Sequence, residues 1–233
     1  PGAGTMGEKG WQGSDLIFDL DADHLPGVDP DADTYGEMLA ACKDALNRLL
    51  DILTDDLGFD DPAIVFSGGR GYHVHVRDPS VRQLGRESRR EVVDYIRGID
   101  VAFDTLVETE AVAGMGLKNP TQKRTLSTAG GWSRRAHRRL VSLVEALVEL
   151  PEEDAIERLE GYEGIGPGKA ASALTAARSN FDEIREGNID VHPAFYSLAR
   201  AVFDETVAAE SAAIDEPVTT DIHRLIRLPG SLH

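Results

Sequence analysis

Cysteine, lysine and long apolar runs are all scarce in this sequence of 233 residues. Its single cysteine, Cys42, cannot form an intrachain disulfide, and one thiol alone cannot hold a structural zinc ion or an iron–sulfur cluster. No run approaches the roughly 20 apolar residues that cross a bilayer as a helix, and no basic-then-apolar secretory leader opens the chain. We therefore expect a cytoplasmic protein with no membrane contact.

Negative charge dominates the composition. Asp and Glu number 41 against 24 Lys and Arg, which gives a formal net charge of −17 at pH 7. Only five of the basic residues are lysines. Such a surface keeps a protein dispersed when molar salt screens charges within about 3 Å, so we interpret it as a halophilic adaptation. Taken alone, the charge argues against nucleic-acid binding, although a local basic motif can override it.

Strand and helix patterns alternate in the first part of the chain, and helical periodicity dominates the middle. Apolar runs and two-residue alternation predict strands at 15–21, 63–66 and 72–76. Helical spacing with capping signals predicts helices at 34–57 and 86–97. The segment from 213 to 233 returns to a β-like pattern.

This order of elements predicts an α+β fold, in which a mixed or antiparallel sheet is flanked by helices. We place the sheet core in residues 1–112 and 212–233, and an inserted helical subdomain in residues 113–211. Because the chain starts with Pro1 and stops at His233 within a motif-like run, we expect both ends to be cut from a longer polypeptide.

Two aspartates on the first predicted strand are the first candidates for chemistry. Asp19 and Asp21 lie two residues apart, so both carboxylates project from one face of a strand. Their mutual repulsion favours a bound cation, and carboxylate oxygens suit Mg²⁺ or Mn²⁺. The alternative is that Asp21 and Asp23 only face solvent at a strand end. An EF-hand loop is excluded, because His24 and Pro30 occupy positions that require glycine and glutamate.

A glycine-rich turn, Ser67-Gly68-Gly69-Arg70-Gly71, separates the second and third predicted strands. Its glycines let backbone N–H groups approach an anion, and Arg70 can donate two parallel hydrogen bonds to phosphate oxygens. Ser67 and His73 add further donors. The spacing differs from the Walker loop and the dinucleotide-binding fingerprint, so a phosphate-binding turn and an ordinary flexible hairpin both remain open.

The last segment is the densest cluster of chemically useful residues. Asp215 opens it, Arg224 and Arg227 follow, and His233 ends it. These residue types would suit a metal ligand followed by groups that bind a triphosphate. An amphipathic segment with arginines three residues apart is the alternative.

Three segments resemble, in their order along the chain, the three motifs of the catalytic small subunit of archaeal and eukaryotic DNA primases. They are LIFDLDAD, SGGRGYHVHV and DEPVTTDIHRLIRLPGSLH. The last of them is long enough to make coincidence improbable. The resemblance covers the two parts of the predicted sheet core and implies the fold of a primase catalytic core.

The resemblance implies which carboxylates are catalytic. Asp19 and Asp21 match the paired metal-binding aspartates of the first motif, and Asp215 matches the aspartate that opens the third motif. Asp221 is a rival for the third position because it lies nearer the basic run. The resemblance favours Asp215, whose separation from the final histidine, His233, is that of the family.

The resemblance also implies a set of nucleotide-binding residues. Ser67, Arg70 and His73 match the phosphate contacts of the second motif. Arg227 and His233 match the basic residue and the histidine that hold the incoming nucleotide in the third.

The sequence departs from the family in its cysteines. Archaeal relatives commonly carry a zinc knuckle of cysteines and histidines after the first motif, whereas residues 25–33 here contain neither. Cys42 further along cannot form a tetrahedral site alone, so we predict no structural zinc.

The activity implied by the resemblance is that of a DNA primase, a nucleotidyltransferase that synthesises short RNA primers on single-stranded DNA for replication. It would use nucleoside triphosphates and two Mg²⁺ or Mn²⁺ ions. The implied partner is the large primase subunit, which would contribute an iron–sulfur domain to a heterodimer. Two alternatives stay open: an end-joining type of primase-polymerase that extends existing ends, and a non-catalytic nucleic-acid-binding subunit.

Two features of the predicted helical insert carry weaker signals. Arg134, Arg135, Arg138 and Arg139 form a cluster that could contact template phosphates or pair with the protein's own carboxylates. The segment 163–170, EGIGPGKA, resembles the hairpin of helix-hairpin-helix modules. An ordinary Gly-Pro turn between two helices is the favoured interpretation.

Overall fold

The structure, a computed structural model, describes residue 8 and residues 10–112 and 121–226. It divides into two compact units. The first contains the described residues up to Asp100 and from Ser211 onwards, and the second is Val101–Glu210. Among the described residues, no helix is both long and apolar enough to cross a membrane.

The helices and strands alternate in the first unit, and helices dominate the second. The strands are β1 (Leu16–Asp21), β2 (Ala63–Phe66), β3 (Gly71–Val76), β4 (Val107–Val112) and β5 (Thr121–Leu126). The helices are α1 (Tyr35–Asp51), α2 (Arg86–Arg97), α3 (Phe103–Leu106), α4 (Gly131–Glu149), α5 (Glu152–Glu160), α6 (Pro167–Ser179), α7 (Phe181–Arg185), α8 (Pro193–Glu210) and α9 (Glu216–Thr220). The predicted α+β fold class is confirmed.

The sheet of the first unit has the strand order β1–β3–β2, with both pairs antiparallel. Alternation along β1 explains its packing: Leu16, Phe18 and Leu20 are fully buried, while the residues between them are partly exposed. A strand with this two-residue period buries one face and leaves the other available for chemistry. The buried face packs on α1.

Helix α1 starts with a capping box, in which Thr34 and Glu37 satisfy each other's backbone N–H groups. A turn of π-helix, Ile52–Asp56, follows α1. Helix α2 ends at Gly98, whose φ of 66° is a left-handed conformation that glycine adopts without strain. The predictions of helices over 34–57 and 86–97 are confirmed in type, with the first ending in the π-helical turn.

The second unit is mainly a packed group of helices, in which α4 and α6 both pack on α8. Strands β4 and β5 form a separate antiparallel hairpin in this unit. The sequence patterns did not predict it, since its strands lack a clear apolar alternation. The predicted division at 112 and 211 stays a prediction, although β4 lies by its contacts in the second unit rather than the first.

The prediction of a β-like pattern after residue 213 is wrong for the described part, because residues Glu216–Thr220 form helix α9. Pro217 lies in its first turn, where the fixed φ of proline suits a helix and its missing N–H is not needed. Short apolar–polar runs are compatible with either period, so the local pattern could not distinguish helix from strand.

Gly71 in β3 has no room for a side chain, because a Cβ atom there would overlap the carbonyl oxygen of Leu20 on β1. We expect Gly71→Ala to lower the free energy of unfolding by on the order of 2–3 kcal/mol, since the strands must separate to accept the methyl group. Urea unfolding in molar KCl measures this change.

Gly69→Ala is the matched control. Its Cβ would have Ser67 Oγ, 4.0 Å away, as its nearest neighbour, so the free energy of unfolding should change by less than about 1 kcal/mol. Equal stability of both variants would contradict the close approach of β1 and β3.

Candidate active site

The exposed face of β1 carries two carboxylates, Asp19 and Asp21, because they alternate with the buried leucine between them. The antiparallel register sets His73 of β3 opposite Asp19 and Gly71 opposite Asp21. His73 Nε2 lies 3.3 Å from Asp19 Oδ1. The first and second motifs are therefore joined directly, imidazole to carboxylate, across one strand pair.

The glycine-rich turn between β2 and β3 is held in place from both sides. The backbone N–H of Ala22 donates to the carbonyl of Arg70 at 3.1 Å, which ties the turn to the end of β1. The hydroxyl of Tyr35, at the start of α1, donates to the carbonyl of Gly69 at 3.0 Å. Gly68 has a φ of 86°, which favours glycine at this position.

Arg70 is paired with a carboxylate that the sequence analysis did not select. Its Nη2 lies 2.6 Å from Asp23 Oδ2. Asp23 Oδ1 is buried without a hydrogen-bond partner, and the Asp23 N–H faces Asp21 Oδ1 at 3.4 Å. The two-residue repeat of Asp19, Asp21 and Asp23 was the available signal, but only the structure brings the third of them to the guanidinium.

These residues line a groove of about 450 Å³. Its walls combine all three motifs: Asp19, Asp21, Ser67, Gly68, Gly69, Arg70, His73, Val218, Arg224, Leu225 and Ile226. The first motif supplies carboxylates, the second supplies the glycine turn with Arg70, and the third supplies Arg224. Leu225 at its edge is 87% exposed, an unusual position for a leucine. The groove therefore brings carboxylates, arginines and the glycine turn together within one concave surface.

Asp215 lies against β1 through its backbone. Its N–H donates to the carbonyl of Asp19 at 3.0 Å, and its Oδ2 lies 3.7 Å from Nη1 of Arg224. Asp221, the rival for the third carboxylate, is exposed and accepts a hydrogen bond from the N–H of His223 at 3.0 Å. Of these two carboxylates, Asp215 is thus the one joined directly to the strand that carries Asp19 and Asp21.

Two predicted nucleotide-binding residues, Arg227 and His233, lie outside the described residues. Ser67, Arg70 and His73 line the groove together. The structure therefore brings the described members of the predicted site to one region of the first unit.

The carboxylates of the groove offer oxygen ligands to a divalent cation. Carboxylate oxygens are the preferred ligands of hard cations, and Asp19 and Asp21 present two of them on one strand face. In residues 8, 10–112 and 121–226, no three His, Cys, Asp or Glu side chains converge closely enough to form a metal site. The carboxylate of Asp215 lies near Arg224 instead. The pair on β1 fits such an ion, with Asp215 fixed alongside it by its backbone.

The thiol of Cys42 lies behind β1, on the side opposite the carboxylates, and its pKa is affected by them. This thiol is fully buried and lies 3.7 Å from the carbonyl oxygen of Leu20. Burial, followed by the negative charges of Asp21 and Asp19, raises the pKa of the Cys42 thiol to about 11. The thiol is thus a packed, protonated group behind β1. The absence of structural zinc stays a prediction.

The arginine cluster on α4 is largely engaged within its own unit. Arg135, with 3% of its side chain exposed, pairs with Glu210 at 3.0 Å, and Arg139 pairs with Glu205 at 3.0 Å. Both acidic partners lie on α8. Arg135 and Arg139 therefore pair with the protein's own carboxylates, which is the second of the two interpretations of the cluster.

A larger cleft, of about 810 Å³, lies in the second unit, beside the turn between α5 and α6. The turn includes Gly164, whose carbonyl accepts a hydrogen bond from Lys169 Nζ at 3.0 Å. Its ionisable lining is mixed, with Lys169, Arg200, Glu163, Asp204 and Glu205. The smaller groove is the better candidate for catalysis, because it combines the carboxylate pair of β1 with the glycine turn, Arg70 and His73.

Comparison with known proteins agrees with the motifs that meet in the groove. A family model described as DNA primase small subunit matches residues 18–233. The chain is 64% identical over 234 residues to the DNA primase small subunit PriS of Haloarcula marismortui. It is 59% identical over 234 residues to the protein of the same name from Natronomonas pharaonis, and 58% over 233 residues to that of Halobacterium salinarum.

These matches cover all of this chain but only part of each relative. The chain spans 60%, 59% and 60% of the three proteins, respectively. The matches therefore show the family to which this chain belongs, and not the activity, substrates or partners of a whole protein.

The burial of Cys42 generates a prediction for thiol labelling. At pH 8 we expect the folded protein to react with a disulfide reagent at least about a hundredfold more slowly than the unfolded chain, because only the thiolate reacts and burial keeps the thiol protonated. Stopped-flow absorbance measures both rates on the same sample, before and after denaturant. Rapid labelling of the single thiol in the folded state would contradict the described position of Cys42 behind β1.

Proposed function

Since the chain belongs to the DNA primase small subunit family, we propose that it forms the catalytic part of a primase, which synthesises short RNA primers on single-stranded DNA. One observation carries the proposal: the N–H of Asp215 in the third motif donates to the carbonyl of Asp19 in the first. Together with the second-motif turn in the same groove, it supports a composite site built from distant parts of the chain.

The three carboxylates are the proposed metal ligands. Asp19, Asp21 and Asp215 would hold two divalent cations, Mg²⁺ or Mn²⁺. When bound, such ions lower the pKa of the attacking 3′-hydroxyl and offset charge at the triphosphate. The strand geometry assists because Asp19 and Asp21 share one face of β1, which fixes their spacing before any ligand arrives.

The hydrogen-bond donors of the groove form the proposed triphosphate site. Ser67 and Arg70 would donate hydrogen bonds to phosphate oxygens, and His73 would do so from the neighbouring strand. The glycine turn is anchored by Ala22 and Tyr35, so these donors are held in place by the fold. Family resemblance alone assigns Arg227 and His233 to the same nucleotide.

Arg70 must exchange partners when a phosphate binds. It is paired with Asp23 at 2.6 Å, and its side chain is 41% exposed, so a phosphate oxygen can reach it from solvent. The ion pair with Asp23 keeps the guanidinium at the edge of the groove and offsets its charge. A triphosphate would replace Asp23 as the partner of Arg70, and its phosphate oxygens can accept two parallel hydrogen bonds from the guanidinium.

The proposed substrates are nucleoside triphosphates and a single-stranded DNA template, and the proposed place of action is the cytoplasm. The proposed partner is a large primase subunit, consistent with the word "small" in the names of the relatives. The heterodimer would supply the iron–sulfur domain that a chain with one cysteine cannot form.

Calorimetric titration of ATP into the chain in molar KCl, with and without Mn²⁺, tests the site. We expect binding that depends on Mn²⁺, and we expect Asp21→Asn to weaken it at least about tenfold, or about 1.4 kcal/mol. The physical reason is that the variant removes one charged oxygen donor without changing the side-chain volume.

Asp44→Asn is the matched control, because Asp44 is exposed on α1 and its replacement removes the same charge. It should bind ATP as the unmodified chain does. Equal Mn²⁺-dependent binding by the Asp21 and Asp44 variants, with both folded, would refute the assignment of the carboxylates.

Primer initiation is the second test, performed with the full-length protein and its large subunit. A primase joins two free nucleoside triphosphates on a single-stranded template, whereas an end-extending polymerase requires an existing 3′ end. We expect labelled dinucleotides and short RNA products without any added primer, and none from the Asp21→Asn protein. Extension of preformed ends without initiation would exclude the primase assignment.

A further inference from the structure

The edge of β1 that faces away from β3 is hydrogen-bonded to groups outside the sheet. The strand pairs with β3 along one edge and, among the strands that the structure describes, is the terminal strand of its sheet. Carbonyls along an antiparallel strand point alternately to its two sides, so those of Ile17 and Asp19, and of Asp15 just before the strand, face the edge that no described strand covers. An unpaired edge normally invites another strand.

Three different donors satisfy these three carbonyls. Arg89 Nη1 donates to Asp15 at 3.0 Å, Thr219 Oγ1 donates to Ile17 at 2.7 Å, and the N–H of Asp215 donates to Asp19 at 3.0 Å. A guanidinium, a hydroxyl and a backbone amide thus replace the strand that would otherwise lie there. We name this row of three hydrogen bonds the β1 edge ladder.

Helical geometry explains why two donors four residues apart can match alternate strand carbonyls. Four residues of α-helix advance about 6 Å along the axis, and two residues of strand advance about 6.8 Å. Asp215, the N-cap residue of α9, and Thr219, about one helical turn further on, thus donate to carbonyls two residues apart on β1. A shift of α9 along β1 would break both bonds together.

Arg89 fixes the far end of the ladder. Its side chain is 2% exposed, and it also donates to the carbonyls of Ser14 and Leu84 at 2.8 Å each. One of its nitrogens reaches the carbonyl of Thr219 at 3.4 Å. The buried guanidinium therefore connects α2, the start of β1 and α9, which no smaller side chain could do.

We propose that Thr219 and Arg89 are positioning residues, which set the register of α9 on β1 and so hold Asp215 beside Asp19 and Asp21. The inference rests on the proposed function, in which Asp215 is the third carboxylate. Neither residue touches the proposed substrates, and neither lines the groove. Their effect passes through the backbone of Asp215.

Thr219→Val is the decisive variant, because valine keeps the volume of threonine and removes only the hydroxyl donor. The partly buried carbonyl of Ile17 then lacks this partner, and the register of α9 is held by fewer bonds. We expect at least about tenfold faster hydrogen exchange of the Asp215 amide by NMR. We also expect at least about tenfold weaker Mn²⁺-dependent ATP binding by calorimetry.

Two further variants separate positioning from general destabilisation. Thr219→Ser keeps the hydroxyl and should retain both properties within about threefold. Thr220→Val is the matched control: Thr220 is 2% exposed in the same helix, but its hydroxyl donates to the carbonyl of Glu216 within α9, at 3.1 Å. It should leave both Asp215 exchange and ATP binding within about twofold of the unmodified chain.

The inference fails if Thr219→Val leaves exchange at Asp215 unchanged, or if the serine or Thr220 variant produces the same effect. Loss of protection at Asp215 with unchanged ATP binding would overturn the link between register and site. If the unmodified chain shows no Mn²⁺-dependent ATP binding, the proposed function fails, while the exchange data still decide whether Thr219 positions Asp215.

Arg89→Lys extends the test to the other end of the ladder. An ammonium group on a flexible stem cannot reach three chain segments at once, so we expect exchange of the Asp215 amide to be faster by at least about fivefold. If this variant does not fold, the threonine variants alone decide the proposal.

Discussion

The hydrogen bonding of β1 along both edges is the constraint on which the first unit depends. One edge is paired with β3 in regular register, and the other receives donors from α2 and from the segment around α9. Each edge brings one of the remaining motifs to the strand that carries Asp19 and Asp21. A strand with hydrogen bonds along both edges is held firmly in place, and rigid support is what closely spaced carboxylates require.

The two faces of the same strand have opposite functions. Leucine and phenylalanine side chains on one face pack on α1 beside the buried Cys42 thiol, and the carboxylates on the other face meet His73. The negative charge is close enough to help raise the pKa of that thiol from behind the strand. An acidic site of this kind sits partly over a low-dielectric core, where a compensating cation has a large effect.

Acidic residues outnumber basic ones in this chain, and arginines form ion pairs with them within the protein. In both units arginines pair with nearby carboxylates, as Arg70 does with Asp23, Arg224 with Asp215 and Arg135 with Glu210. An anionic substrate approaching a chain of net charge −17 must therefore compete with internal carboxylates for each guanidinium. This competition favours a site where several donors act together, as the glycine turn and Arg70 can do.

The sequence by itself determined β1, its alternating carboxylates, the glycine turn and most helices, because these depend on periods of a few residues. The resemblance to the family motifs also allowed Asp215 to be predicted as the third carboxylate. Tertiary structure alone decided which donors satisfy the outer edge of β1, that Asp23 pairs with Arg70, and that residues 216–220 are helical. The Thr219 hydroxyl and the Ile17 carbonyl are 202 residues apart. No local pattern encodes such a contact, since it forms only when packing brings both segments together.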